Sequence, residues 1–527
     1  MIQSQHSRRR RAPVILASLF VVVAMVLAAC SSSGSPSASS APPAGTPVHG
    51  GTLVFARHAD IFTFDPYNTQ DDESIFTEMQ IYDRLVALSP DGKSVVPELA
   101  TSWSVAPNGL TADFHLRPGV KFSDGTPLTV SDVVFSLTRA INQQGSWGFL
   151  FSPVKRVVAL NSSTVQFQMS TAFAPLLAAL ATFAASIYSE SNFKKWGSKE
   201  GNHPLGTGPF ALQSWAPGTS VVLVRNKYYW QPGKPYLNKV EFTNVSNDNS
   251  RVLQLESGTA DIIDNTAPNQ IAQVKARGDQ TESVLGSAVG WVTLNEHIPP
   301  LNQANVRLAL AYALDRATIA KTVYFGLAEP ALSVIPNGTF YYNPNTDPIT
   351  FNMAKAKALL AKTTVPHGFT LNVMIASGDT ASLDQTEIWA ADLAKIGIKL
   401  NVTSLEQTTA QQRYNTAQYT AWVSEWTNDT PDPDEMMGVG LVYLPQDALH
   451  TYFNDPQIAA LVTQARQELN TTQRAALYTQ IQTLYNTQDP YIYTVDIPRL
   501  YASAPTVHGF MPNSQGDYEL QNVWIGG

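Results

Sequence analysis

The chain has 527 residues, 44% of them hydrophobic, enough to fold as more than one lobe around sizeable cores. Its 42 Asp and Glu against 34 Lys and Arg give a formal net charge of −8, which disfavours nucleic-acid binding because that needs a basic patch. A single cysteine, Cys30, excludes a disulfide framework and a cysteine-ligated zinc.

Arg8 to Arg11 precede an uncharged apolar run from Val14 to Leu27, the pattern of an export signal. The run is too short to cross a bilayer comfortably. Leu27-Ala28-Ala29-Cys30 matches the bacterial lipobox, so residues 1–29 are expected to be a lipoprotein signal peptide and Cys30 the lipidated first residue of the mature chain. With Cys30 lipidated, no thiol nucleophile is left. The four arginines leave general and twin-arginine export both open. Losing them takes the net charge from −8 to −12. Residues 30–50 are Ser, Pro, Ala and Gly with almost no large apolar side chain, a tether that cannot bury enough surface to order itself.

Leu53 to Phe55 then starts an apolar run, as a first strand would. Ala112, Phe114 and Leu116 alternate with Asp113 and His115 between the turn signals Pro107-Asn108-Gly109 and Arg117-Pro118-Gly119, the period of a half-buried strand. Thr129-Val-Ser-Asp132 reads as a capping box opening a helix with a Val133, Val134, Leu137 and Ile141 stripe. Val221 to Val224 is a β-branched run. Further on, Val306, Leu310, Ala313, Leu314 and Ala317 share one helical face, and that single helix is expected to end near Gly326. Asn352 and Asp455-Pro456 are helix starts, and Gly397 should end a helix carrying Trp389, Leu393 and Ile396 before the strand Ile398 to Val402. This mixture of strands and helices predicts α/β lobes.

Several of these segments together resemble the extracytoplasmic solute-binding proteins of family 5, the dipeptide and oligopeptide receptors of ABC importers. They are Pro97-Glu-Leu-Ala-Thr-Ser-Trp103 running through Phe114 to Pro127 into Ser131-Asp-Val-Val-Phe135, then Gly206-Thr-Gly-Pro-Phe210, Arg225-Asn-Lys-Tyr-Tyr-Trp230, Val306 to Leu310 and Ala313-Leu-Asp-Arg316. The resemblance implies an α/β fold of the periplasmic-binding type: a two-lobed clamp with a small inserted lobe. Lobe I would comprise residues 51–84, 205–295 and 497–527, the insert 85–204, and lobe II 296–496. Trp291 to Glu296 and Tyr493 to Pro498 would form the hinge. It also implies a monomer that binds a peptide outside the membrane, is held there by the lipid on Cys30, and delivers its cargo to permease and ATPase subunits. It implies neither catalysis nor a cofactor.

Trp426-Thr-Asn-Asp429, followed by Asp432-Pro433, is similar to the family's Trp-x-x-Asp segment, in which the aspartate pairs with a peptide α-ammonium and the tryptophan lines the cleft. Asp429 and Trp426 are therefore the expected ligand-binding residues. On the other reading, Asp429 and Asp432 are ordinary turn residues and Trp426 packs in a core. The arginine that binds the ligand carboxylate in dipeptide receptors has no counterpart, because Ser377 to Glu387 contains no basic residue. That absence favours an oligopeptide held through its backbone, with Arg413 and Arg499 as candidate carboxylate partners. Relatives of the fold that take oligosaccharides, haem, metal chelates or opines, and a peptide-sensing receptor without transport, are the alternatives. Gly206-x-Gly208-x-x-Ala211 lacks the strand-turn-helix context of a dinucleotide site, and the nine histidines lack metal-ligand spacing.

Overall fold

A computed structural model describes residues 45–69, 71–142, 147–442 and 448–526. The signal peptide, Cys30 and the first part of the tether lie outside the described residues, so the structure does not bear on them. Among the described residues no helix is long and apolar enough to cross a membrane.

The backbone is organised by an eleven-stranded mixed sheet. In spatial order its strands are Lys399–Leu405, Thr370–Ala376, Ala421–Thr427, Gln280–Leu294, Tyr491–Ser503, Ile262–Ile263, Thr52–Arg57, Lys239–Asn244, Ser220–Arg225 and Phe210–Ala216, with Glu329–Pro330 paired to Tyr491–Ser503. The two long strands, Gln280–Leu294 and Tyr491–Ser503, run antiparallel through both halves of the sheet. Their outer ends pair with each other and with the half built on Thr52–Arg57. Their inner ends pair with each other and with the half built on Ala421–Thr427. The register slips where one half gives way to the other, because Leu285 faces Pro498 but Val289 faces Asp496. Such a slip marks a β-bulge, where one strand carries extra residues and bends.

A second, four-stranded sheet forms from Ala100–Val105, Thr111–Leu116, Val154–Asn161 and Thr164–Met169, all within the segment 85–204. Its inward side chains Phe114, Val165 and Phe167 belong to the same buried cluster as Leu53, Phe55 and Phe242 of the large sheet. The four-stranded sheet thus shares one continuous core with the Thr52–Arg57 half of the large sheet. The other half has separate clusters, one around Trp389, Leu310 and Val373 and one around Trp291, Tyr478 and Tyr491.

Local chemistry places the elements much as the sequence suggests. Thr129 and Asp132 make the reciprocal capping box at helix Val130–Ile141, Asn352 caps Met353–Leu360, and Asp455 caps Pro456–Gln467. Gly397, at φ +83, lets the chain leave helix Thr380–Ala394 for the next strand, a backbone conformation that costs glycine nothing. Trp389 on that helix is 1% exposed and donates its indole N–H to the Leu310 carbonyl at 3.1 Å. One expectation fails: the helix starting near Val306 is two helices, Ala304–Tyr312 and Arg316–Thr322. Asp315 breaks it, since its carboxylate accepts the Thr318 N–H at 3.1 Å and caps a new start.

Candidate functional site

A cavity of about 190 Å³ opens between the two halves of the large sheet. On one wall stand His58, at the end of strand Thr52–Arg57, and Asp72 and Glu73, in the first turn of helix Asp72–Glu78. Asp264, just past Ile262–Ile263, and Arg499 of Tyr491–Ser503 complete that wall. The facing wall is strand Ala421–Thr427, which presents Glu425 and Thr427, with Ala288 of the neighbouring strand.

Strand alternation decides which side chains reach this space. Glu425 and Thr427 point into it, so Trp426 points the other way. There it packs against Trp291 with ring centroids 5.5 Å apart and joins the buried cluster of Trp291 and Tyr491 as a partly buried member. Its indole N–H donates to Asn428 Oδ1 at 2.7 Å, the backbone N–H of Asn428 donates to the Ser287 carbonyl at 3.1 Å, and Ser287 sits in the bulge of strand Gln280–Leu294. Trp426 therefore props the turn that follows.

That turn carries Asp429 and is tied down on every side. Glu435 Oε2 accepts the backbone N–H of both Asp429 and Thr430, at 2.9 and 3.0 Å. Asp432, the other aspartate of the motif, is buried against the Arg474 guanidinium, whose Nη2 donates to its Oδ1 at 2.8 Å, and so anchors the turn to helix Thr471–Tyr485. Asp429 is not itself among the residues that line the cavity; its carboxyl shares a hydrogen bond with the Glu435 carboxyl, and the charges of Asp72, Arg499 and Asp517 act on it. Desolvation first, then the Asp72 charge, raise its pKa to about 7. Glu435 is pushed well above the usual carboxylate range by burial and by Asp429, so the pair holds a proton near neutrality.

On the opposite wall, His58 N–H donates to Asp264 Oδ1 at 2.9 Å, and His58 Nδ1 lies 3.2 Å from Glu73 Oε1 and 3.4 Å from Asp264 Oδ2. The hydrogen bond to Asp264 raises the His58 pKa despite partial burial. Ligand atoms of these three residues lie within 4.8 Å of one another, a convergence the scattered histidines of the sequence do not reveal. Arg251 Nε stands 3.8 Å from Asp264 Oδ1 and extends this ion-pair network. Arg499 Nη1 bonds Asp72 Oδ2 at 2.7 Å at the cavity wall. Arg413, by contrast, is exposed and lines a separate hollow with Thr403 and Gln418. Of the two candidate carboxylate partners, only Arg499 reaches this cavity.

The arrangement is a cleft between the two halves of the large sheet, walled by opposed charges. Residues 94–441 match the model of the bacterial extracellular solute-binding proteins, family 5. The chain is 28% identical over 484 residues to heme-binding protein A of Haemophilus influenzae, covering 86% of this chain and 88% of that protein. It is also 28% identical over 519 residues to the dipeptide-binding protein of Escherichia coli, covering 91% and 95%. The solved structure of the periplasmic binding protein DppA from Helicobacter pylori, in complex with the peptide STSA, superposes with a TM-score of 0.79 at 26% identity over 91% of this chain and 99% of that one. The fold is accordingly the two-lobed clamp of these binding proteins, and the chain belongs to family 5 of the bacterial extracellular solute-binding proteins.

Proposed function

We propose that the protein is the capture subunit of an ABC importer and that its cargo is a peptide held by its free amino group. Asp429 carries this reading. Its carboxylate sits on a turn fixed by Glu435, Asn428 and the Asp432–Arg474 pair, beside the cavity, where the charges of Asp72 and Arg499 act on it. A partly desolvated carboxylate in such a place gains most from an ammonium, since charge-assisted hydrogen bonds are the strong ones. Trp426 supports the turn from behind, and Arg499, already bonded to Asp72, is the cation at the cavity wall that a ligand carboxylate would meet. Closing the lobes over a peptide hides it from water and fixes both halves in one geometry, which a permease reads as loaded. No covalent bond changes in this cycle. The lipid on Cys30 would keep the receptor at the outer face of the membrane, beside its permease and ATPase.

Native mass spectrometry of the protein as purified tests the cargo class. Retained peptides, exchangeable for an added peptide mixture that is recovered uncleaved, are the expected result. Retained haem or oligosaccharide that peptides do not displace, or cleavage of the mixture, contradicts the reading.

A further inference from the structure

Glu425 is the charged side chain that strand Ala421–Thr427 sends into the cavity, and it is exposed there. Its cross-strand partner is Gly290, and the neighbouring position on that strand that lines the cavity is Ala288. Directly opposed residues of an antiparallel pair share a face, so a glycine there leaves the carboxylate without a cross-strand side-chain neighbour. Among the described residues no hydrogen bond or ion pair engages that carboxylate. The strand around it is rigid, paired from Ala421 to Thr427.

The charges within reach do not balance. Arg499 is the guanidinium lining the cavity, and it is already bonded to Asp72 while Glu425, Asp429 and Asp517 also draw on it. His58 is taken up by Glu73 and Asp264. Asp379 and Asp72 add further repulsion at Glu425. A ligand with only one positive group neutralises Asp429 and leaves Glu425 facing a gap that has become drier on closure, where an unpaired carboxylate is costly.

We infer that Glu425 is a specificity-determining residue that selects peptides carrying a second positive charge, a lysine or arginine side chain beyond the free amine. The inference rests on the peptide reading above and sharpens it to basic peptides. Backbone contacts would hold the chain, Asp429 its amino end, and Glu425 the basic side chain reaching the open face beside Gly290.

The test is calorimetry with free-amine alanine tetrapeptides bearing, at position two, three or four, either lysine or its uncharged isostere norleucine. At one position at least, lysine should bind about tenfold tighter than norleucine, a gap in the range of measured charge-pair couplings. Glu425→Gln, which keeps size and shape at an open position, should bring that ratio to about one. Equal binding of both series to the wild type overturns the inference while leaving the peptide receptor standing. So does a ratio that Glu425→Gln leaves intact, as would follow if Glu425 served only to meet Arg499 on closure. Binding of neither series overturns the inference together with the peptide reading on which it rests.

Discussion

Burial and the Asp72 charge make a negative charge on Asp429 expensive in the empty protein, and on the proposed reading a ligand ammonium offsets that expense. Asp429→Ala is expected to weaken binding of a free-amine peptide by about 30-fold or more, the scale found when one partner of a desolvated charge pair is deleted. The pH dependence has a definite sign. With its pKa raised to about 7 in the empty protein, Asp429 must lose a proton to pair, so affinity should fall as pH drops below 7. It should also fall above the peptide amine's own pKa of about 8, giving a maximum near neutrality, and titration between pH 5.5 and 9 showing a flat profile would contradict this. The same raised pKa means that the neutral carboxyl favours folding and that this contribution is lost as pH rises through 7. Asp429→Asn, neutral throughout, should therefore leave the empty protein at least as heat-stable as the wild type at pH 8 while losing affinity.

At the scale of the element, the turn around Asp429 is only as well placed as its anchors. The Arg474 and Asp432 side chains are 3% and 4% exposed, so removing one leaves the other charge buried and unpaired. Arg474→Ala should cost about 3 to 5 kcal/mol in denaturant unfolding and loosen the Asp429 turn with it. The sequence makes such local devices readable when donor and acceptor lie within one turn. The Thr129–Asp132 box, the Asn352 and Asp455 caps and the Gly397 exit all rest on spacings of a few residues. Asp315 shows the limit of that reading. Its neighbours continue an apolar stripe, and a single cap interaction nonetheless ends one helix and begins another. Trp426 and Asp429 stand out by their spacing, but that spacing does not say that strand alternation turns the tryptophan to the rear and Glu425 to the front.

For the whole molecule, what matters is what the long strands bring together. His58, Asp264 and Arg499 come from segments more than 200 residues apart and meet only because Thr52–Arg57, Ile262–Ile263 and Tyr491–Ser503 lie side by side. No periodicity within any one segment reports that meeting. The bulge between Leu285 and Val289 is likewise invisible locally, and we propose it as the point about which the lobes turn, a few residues before Trp291 on that strand. Gly286 in the bulge lies so close to Ser514 and Gly338 that an added Cβ would meet the Ser514 carbonyl oxygen. Gly286→Ala should destabilise the protein by about 1 to 3 kcal/mol through overpacking, and slow ligand-driven closure in stopped-flow fluorescence. Unaltered stability and closure would remove the bulge from the hinge. Away from the bulge, Ala174 N–H donates to the Arg466 carbonyl at 2.9 Å, which ties the segment after strand Thr164–Met169 to helix Pro456–Gln467.

The most direct measurement compares one tetrapeptide with its N-acetylated twin by calorimetry on the wild-type protein. Binding of the free form at least about 30-fold tighter is the result expected of a clamp that grips the amine through Asp429. Equal affinity for the two forms would contradict it.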